Sequence, residues 1–270
     1  MMQLDAVACR DIPRSLQTGV SMTASIWDEK QRGRPLLIGH RGASEMATEN
    51  TLLSLTVAME IGADGVEVDI RLTKDNEIIC FHDESLGRLA GRPERIAELT
   101  LTELRNLYPN VLKLDQGLEL SRSMAFLLDV KATDIQSYSR IIGVIERRYA
   151  THRCIVTVRD NSIARTLVEK YPHIRQICML RDCKGIDEFV SIAPPLAWIR
   201  ISEPHLSNRS VDQVRKVGMS LAVVAGGLTL ESVGKAEVGQ IEDIYRWLPD
   251  AIILDNPALA LKYFEGGKSD

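Results

Sequence analysis

The sequence predicts an α/β fold, a (β/α)8 barrel. Three observations carry the prediction. Eight short β-rich runs recur along the chain, separated by helical patterns. Several of these runs are almost continuously apolar, which suits parallel strands buried on both faces. The 270 residues are also about the usual length for one such barrel. A doubly wound open sheet is the runner-up, because periodicity does not reveal closure. No glycine-rich phosphate loop of the Rossmann or Walker type follows any of the runs.

The expected strands, in order, are Leu36–Gly39, Gly65–Ile70, Ala125–Val130, Cys154–Val158, Gln176–Leu180, Ala197–Ile201, Ser220–Val224 and Ala251–Leu254. The best helix runs from Asn50 to Ile61. Asn50 is the expected N-cap, Leu52, Leu55, Ala58 and Met59 share a face, and Gly62 is a natural stop. Further helices are expected at Leu101–Leu107, Asp134–Tyr149, Ser162–Tyr171, Ile186–Ile192, Ser210–Val217, Val238–Leu248 and Ala258–Phe264. Residues 36–265 read as a single catalytic domain behind an N-terminal extension, 1–35. That extension is charged and has no uninterrupted apolar core of a secretory signal. Covering the barrel floor, pairing with a neighbouring subunit and partial mobility are all open to it.

One connection departs from the alternation. Ile70 to Ile78 is too short for a crossover helix between parallel strands. Asp75-Asn76 reads instead as a two-residue hairpin turn after the second strand. In that register Lys74 pairs with Glu77, Asp69 faces His82, and Glu67 faces Glu84. A bulge would shift the pairing by one residue.

Most residues with chemistry lie between His40 and Asp83. His40 directly follows the first strand, at the end of a barrel where active sites are built. Arg41 can grip a phosphate in bidentate fashion, and Gly42 allows a backbone to approach a ligand closely. Glu67 and Asp69 alternate with Val66 and Val68, so both carboxylates share one face. Two like charges buried together are costly unless a cation is shared. Ligation by oxygen alone points to Mg2+ or Ca2+ rather than zinc. Asp64, at a helix-to-strand turn, is expected outside that ligand shell.

The order His40-Arg41-Gly42-Ala43, Glu49-Asn50-Thr51, Gly62-Ala63-Asp64, Glu67-Val68-Asp69, Thr73-Lys74-Asp75-Asn76 and His82-Asp83 closely resembles the glycerophosphodiester phosphodiesterase family. The resemblance implies a metal-dependent TIM barrel that hydrolyses glycerophosphodiesters to an alcohol and glycerol phosphate. It implies His40 and His82 as the catalytic pair, Arg41 and Lys131 as phosphate-binding groups, and Asp129 beside Glu67 and Asp69 as a metal ligand. The family usually has glutamate where this chain has Asp129, one methylene shorter. The resemblance weakens beyond Lys131. A tryptophan-threonine-valine-asparagine stretch in the family corresponds here to Leu221–Gly227, without aromatic or amide. Small residues there leave volume, so a bulkier, sugar-type phosphodiester is the alternative substrate. Glu203 and His205 could line that altered wall, or sit in a surface loop. The closing stretch Asp250–Pro257 matches the family again. The region Arg88 to Glu119 has no room for a large cap domain.

The composition is that of an ordinary globular protein, with 45% hydrophobic and 26% charged residues and a formal charge of −4. That excludes disorder and a basic nucleic-acid surface. An anionic substrate must then be drawn by local positive groups and a metal. No apolar run reaches the ~20 residues needed to span a bilayer. Cys9, Cys80, Cys154, Cys178 and Cys183 fit neither a zinc site nor a disulfide framework, and read as reduced thiols in a cytoplasmic protein. The expected partner is a small-molecule phosphodiester, with no nucleic acid and no membrane, and the oligomeric state is open. Two rival readings remain: a related lyase or phospholipase on membrane lipids, and a non-catalytic barrel that binds phosphodiesters.

Overall fold

Apolar residues on both faces of a strand need cover on both faces, and the chain supplies it by closing. The computed structural model describes residues 25–28, 33–179, 186–192 and 197–266. The strands are β1 (Leu36–Gly39), β2 (Gly65–Leu72), β3 (Ile78–Cys80), β4 (Leu112–Lys113), β5 (Ala125–Val130), β6 (Cys154–Val158), β7 (Arg175–Met179), β8 (Trp198–Ser202), β9 (Ser220–Val224) and β10 (Ala251–Leu254). Parallel pairing runs from β1 through β10, β9, β8, β7, β6 and β5 to β2, and β2 pairs with β1. Ile38 lies opposite Gly65 at that seam, so the eight parallel strands form a closed barrel. The open-sheet alternative falls.

Two periodicities divide the core. Along β5, Phe126, Leu128 and Val130 pack outward against helices, while Ala125 and Leu127 pack inward. The inward layers continue on β1, β6, β7, β8, β9 and β10 with Leu36, Ile38, Ile155, Ile177, Trp198, Ala222, Val224, Ala251 and Ile253. Branched side chains filling the interior make it a core rather than a pore. Trp27, from the N-terminal extension, joins this interior cluster. Its indole donates to the Arg153 carbonyl at 2.9 Å and its ring meets Trp198 edge-on at 5.3 Å. Asp28 pairs with Arg175, whose strand begins there. These residues therefore cover the barrel floor, one of the three roles left open. The rest of residues 1–32 lies outside the described residues, as do Cys9 and Cys183. Cys80, Cys154 and Cys178 are buried free thiols.

Two expectations need correction. Asn50 does not cap the first helix, Leu52–Glu60. Thr51 does, in a capping box with Ser54, because Asn50 takes a left-handed conformation (φ 56°) and spends its amide elsewhere. The hairpin register is shifted by one: Ile70 pairs with Cys80, Leu72 with Ile78, and the Asp69 carbonyl accepts from Phe81. The turn is longer than two residues. Thr73 and Glu77 close it, Asn76 is left-handed, and the Thr73 hydroxyl accepts from the Glu77 amide at 2.9 Å. Gly42 (φ 84°) packs against Ser54 on the first helix, where a Cβ would collide with it.

After β3 the chain builds a small satellite core from Ile79, Phe81, Leu86, Ile96, Leu104, Tyr108 and Val111. It contains the helices Gly87–Ala90 and Leu101–Leu107, and the edge strand β4 after it returns to the main core through Leu112. The helix Leu114–Leu120 follows. This is the only cap-like structure among the described residues between Arg88 and Glu119, and it keeps the second histidine's loop packed. No described helix is long and apolar enough to cross a membrane.

Candidate active site

Continuing the inward period of each strand by one step leads to polar residues at the C-terminal mouth. β1 leads to His40, β2 carries Glu67 and Asp69, β5 carries Asp129 and leads to Lys131, and β10 leads to Asp255. Glu67, Asp69 and Asp129 are fully buried, with carboxylate oxygens within 4.8 Å of one another. Asp69 and Asp129 lie side by side in register on β2 and β5.

The three carboxylates are held differently. Lys131 bridges two of them, 2.7 Å from Asp69 and 2.8 Å from Asp129. Burial would raise both, but Lys131 with Arg41 holds Asp69, and Lys131 with Arg159 holds Asp129, well below the usual carboxylate range. Asn50 adds a two-point clamp on Asp69: its Nδ2 donates to the carboxylate at 2.8 Å and its Oδ1 accepts the Asp69 amide at 3.0 Å. Among the described residues Glu67 accepts only the Arg41 amide, at 2.9 Å. Burial, with Asp69 beside it, pushes Glu67 up to about 7. A buried carboxylate with unmet charge next to two ionised ones is a donor set suited to a hard divalent cation.

The two histidines have the same design. His40 Nδ1 lies 2.7 Å from Asp255 Oδ1, which also accepts from the Ser44 hydroxyl at 2.8 Å. A carboxylate at Nδ1 holds the proton there and leaves Nε2 as the free lone pair. That Nε2 lies 4.0 Å from Glu67. Gly234 (φ 86°) packs directly on this pair, and a Cβ there would collide with Asp255 and His40. His82 Nδ1 lies 2.7 Å from Asp83, which Arg88 also grips at 2.7 Å. Burial holds the His82 imidazole below its ordinary value, with Asp69 opposing. The shifted hairpin thus still delivers His82 to the carboxylates, through the loop after β3 rather than by direct pairing.

Arg41 is buried. It donates to Glu49 at 2.9 Å, and its Nε is 3.3 Å from Asp69. Glu49 also receives Arg88 at 2.6 and 2.8 Å, so a chain of ion pairs links Arg41 to the His82–Asp83 loop. Asp64 lies away from the mouth, bound to Arg34 and the Leu37 amide, outside the carboxylate cluster. Glu203 accepts from the Gly226 amide at 2.6 Å, and His205 lines the cavity over the mouth. The expected volume beside Leu221–Gly227 is absent. The chain after Gly227 folds back, Val233 joins the interior core, and Ser232 and Lys235 sit where a Cβ on Gly226 would be. Small residues there make room for the protein's own loop.

Sequence reasoning gave no role to Asp255, Asp83, Arg159 or Arg200. Asp83 directly follows His82, a signal that was legible. Asp255 is 215 residues from His40 in the chain, and only closure of the barrel brings them together.

A profile of the glycerophosphoryl diester phosphodiesterase family matches residues 40–181. The chain is 37% identical over 92 residues to a glycerophosphodiester phosphodiesterase of Caldanaerobacter subterraneus, a match covering 34% of this chain and 35% of that protein. The match to this curated relative thus spans about a third of its length. Among solved structures, the chain is similar to a glycerophosphodiester phosphodiesterase of Thermotoga maritima, with TM-score 0.71 and 25% identity over 85% of this chain and 98% of that one. An Oleispira antarctica phosphodiesterase, solved with the product sn-glycerol-3-phosphate, has the same fold, with TM-score 0.73 and 19% identity over 86% and 97%.

Proposed function

The chain belongs to the glycerophosphoryl diester phosphodiesterase family, and from that premise we propose that it hydrolyses glycerophosphodiesters to an alcohol and glycerol phosphate. The observation that carries the reading is a buried carboxylate triad with two imidazoles near it, each backed by its own carboxylate at 2.7 Å. The product held by the Oleispira protein supports the same substrate class.

Glu67, Asp69 and Asp129 are the proposed ligands of one Mg2+ or Ca2+. Bound there, the cation would supply Lewis-acid stabilisation of a phosphate oxygen and make the attacking oxygen more acidic. The chain's own groups do the rest. His40 takes on Nε2 the proton of the attacking oxygen, that of water or of a neighbouring substrate hydroxyl whose cyclic phosphate water then opens, and Asp255 stabilises the imidazolium that results. His82 gives a proton to the departing alcohol oxygen. Burial holds its ring below the usual value, and an incoming phosphate anion acts in the opposite direction, so the proton is acquired with substrate. The rings titrate as a pair. Arg41 and Lys131 bear the remaining negative charge of the phosphate. We place this activity in the cytoplasm, consistent with three buried reduced thiols.

The test is release of choline and glycerol phosphate from glycerophosphocholine. Activity is expected to vanish with chelator and to return with magnesium or calcium. Full turnover by metal-free protein would remove the cation from the reading. No turnover of any glycerophosphodiester would leave a binding barrel.

A further inference from the structure

We infer that Arg71, Arg159 and Arg200 form a subsite for a second phosphate, carried on the alcohol part of the phosphodiester substrate. The inference rests on the phosphodiesterase reading and names the substrate class for that same site.

The three arginines stand on β2, after β6 and on β8, with β5 and β7 between them. Arg71 is the next inward residue after Asp69 on β2, Arg159 the next after Thr157 on β6, and Arg200 lies one layer above Trp198 on β8. With Lys131, Met179, Ser202 and His205 they line a cavity of about 800 Å3 that opens beside the carboxylates. The space is much larger than a single phosphate requires.

Its charge is also larger than the known roles need. Asp129 serves as partner for Arg200 at 3.9 Å and for Arg159, and it shares Lys131 with Asp69. One carboxylate thus answers two guanidinium groups and part of an ammonium. Arg71 makes no ion pair among the described residues, and its Nε donates to the His82 carbonyl at 2.9 Å. The other acids lining the cavity are already engaged. Glu84 pairs with Arg95 at 2.9 Å, and Asp160 caps the helix Asn161–Lys170. His205 adds no negative charge. With the carboxylate triad bound to a divalent cation, the four cations of this wall exceed what one singly charged phosphodiester neutralises. Arg200 is 6% exposed. It has the Met179 sulfur at 3.5 Å and the shared Asp129 at 3.9 Å, and a buried guanidinium with only weak or distant partners costs stability unless something else uses it. Planar guanidinium groups that line one cavity from three sides of the wall suit a phosphate, which accepts bidentate hydrogen bonds from such groups.

The experiment compares two substrates: glycerophosphoglycerol, and the same diester with a phosphate monoester on its terminal hydroxyl. The phosphorylated diester is expected to have the higher kcat/KM by about tenfold or more, mostly through KM, since hydrogen bonds to charged groups are individually strong. In Arg71→Met that preference should fall by about tenfold, and Arg71→Lys should restore part of it. Equal turnover of both substrates by the unmodified protein would overturn the subsite while leaving the phosphodiesterase reading intact. An equal fall for both substrates in Arg71→Met would make Arg71 a support for the His82 loop and overturn the subsite too. If neither diester is turned over, calorimetric binding of inorganic phosphate decides. Binding weakened by Arg71→Met upholds the subsite and defeats the phosphodiesterase reading, whereas binding unaffected by it defeats both.

Discussion

The imidazole of His40 is useful because of what stands behind it. Asp255 fixes its orientation and proton, and Asp83 does the same for His82. Replacing His40 or His82 by alanine is expected to lower kcat by at least ~10²-fold, the lower range for a general acid or base. Neither ring fills the core, so thermal unfolding should change little, and near-normal turnover would dismiss that residue. Asp255→Asn should fall between the alanine variants and the unmodified protein, because the ring remains but its partner no longer carries charge. Glu67 makes a different prediction. Its pKa is raised from the ordinary carboxylate value to about 7. Between those two values the folded, metal-free protein holds a proton that the unfolded chain has lost. Stability contributed by that proton is complete at acid pH and declines as pH rises toward 7. Metal-free Glu67→Gln should therefore match the unmodified protein near pH 4.5 and exceed it at pH 8, by on the order of 2 kcal/mol. Urea unfolding at the two pH values measures this, and equal differences at both would refute it.

Elements were legible where local pattern alone decides them. β1, β5, β6, β9 and β10 lie where their apolar runs begin and end. Glu67 and Asp69 share a face because a strand has period two. The hairpin after β2 was legible as a hairpin but not in its register, since Thr73 adds side-chain bonds that lengthen the turn by one residue. Asn50 reads as a cap because asparagine prefers caps, and its clamp on Asp69 depends on tertiary contact. The loop that folds back after Gly227 was hidden for the same reason: small residues look the same whether they leave space or receive a neighbour. Gly234 tests that loop. A methyl group there would strike Asp255 and His40, and the residue's positive φ is unfavourable to other side chains. Gly234→Ala is expected to lower turnover at least tenfold while circular dichroism shows an intact barrel. Normal turnover would mean the loop yields and does not hold the His40–Asp255 pair.

At the scale of the whole molecule the barrel separates its tasks by end. The mouth collects buried charge: three carboxylates, two histidines and an arc of cations. Each of these groups costs stability that the rest of the fold must supply. The floor is apolar and is closed by residues 25–28 of the N-terminal extension. Trp27 is 2% exposed, packs edge-on to Trp198 and donates a hydrogen bond to Arg153. It reaches the ends of strands that also carry the mouth, but touches none of the reacting groups. Removing its ring opens a cavity among Leu36, Ala125, Ile155 and Trp198, side chains of the interior layers with little freedom to collapse. Trp27→Ala should cost about 3–5 kcal/mol of unfolding free energy. It should also leave kcat on glycerophosphocholine within about twofold at temperatures where the variant is folded. Urea denaturation and turnover on one preparation separate the two effects. A large loss of kcat with stability unchanged would mean that floor and mouth are coupled along the strands. A stable, fully active variant would mean that the extension merely rests on the barrel. Loss of stability alone is the expected result, because the strands bind the two ends into one core while the chemistry stays at one of them.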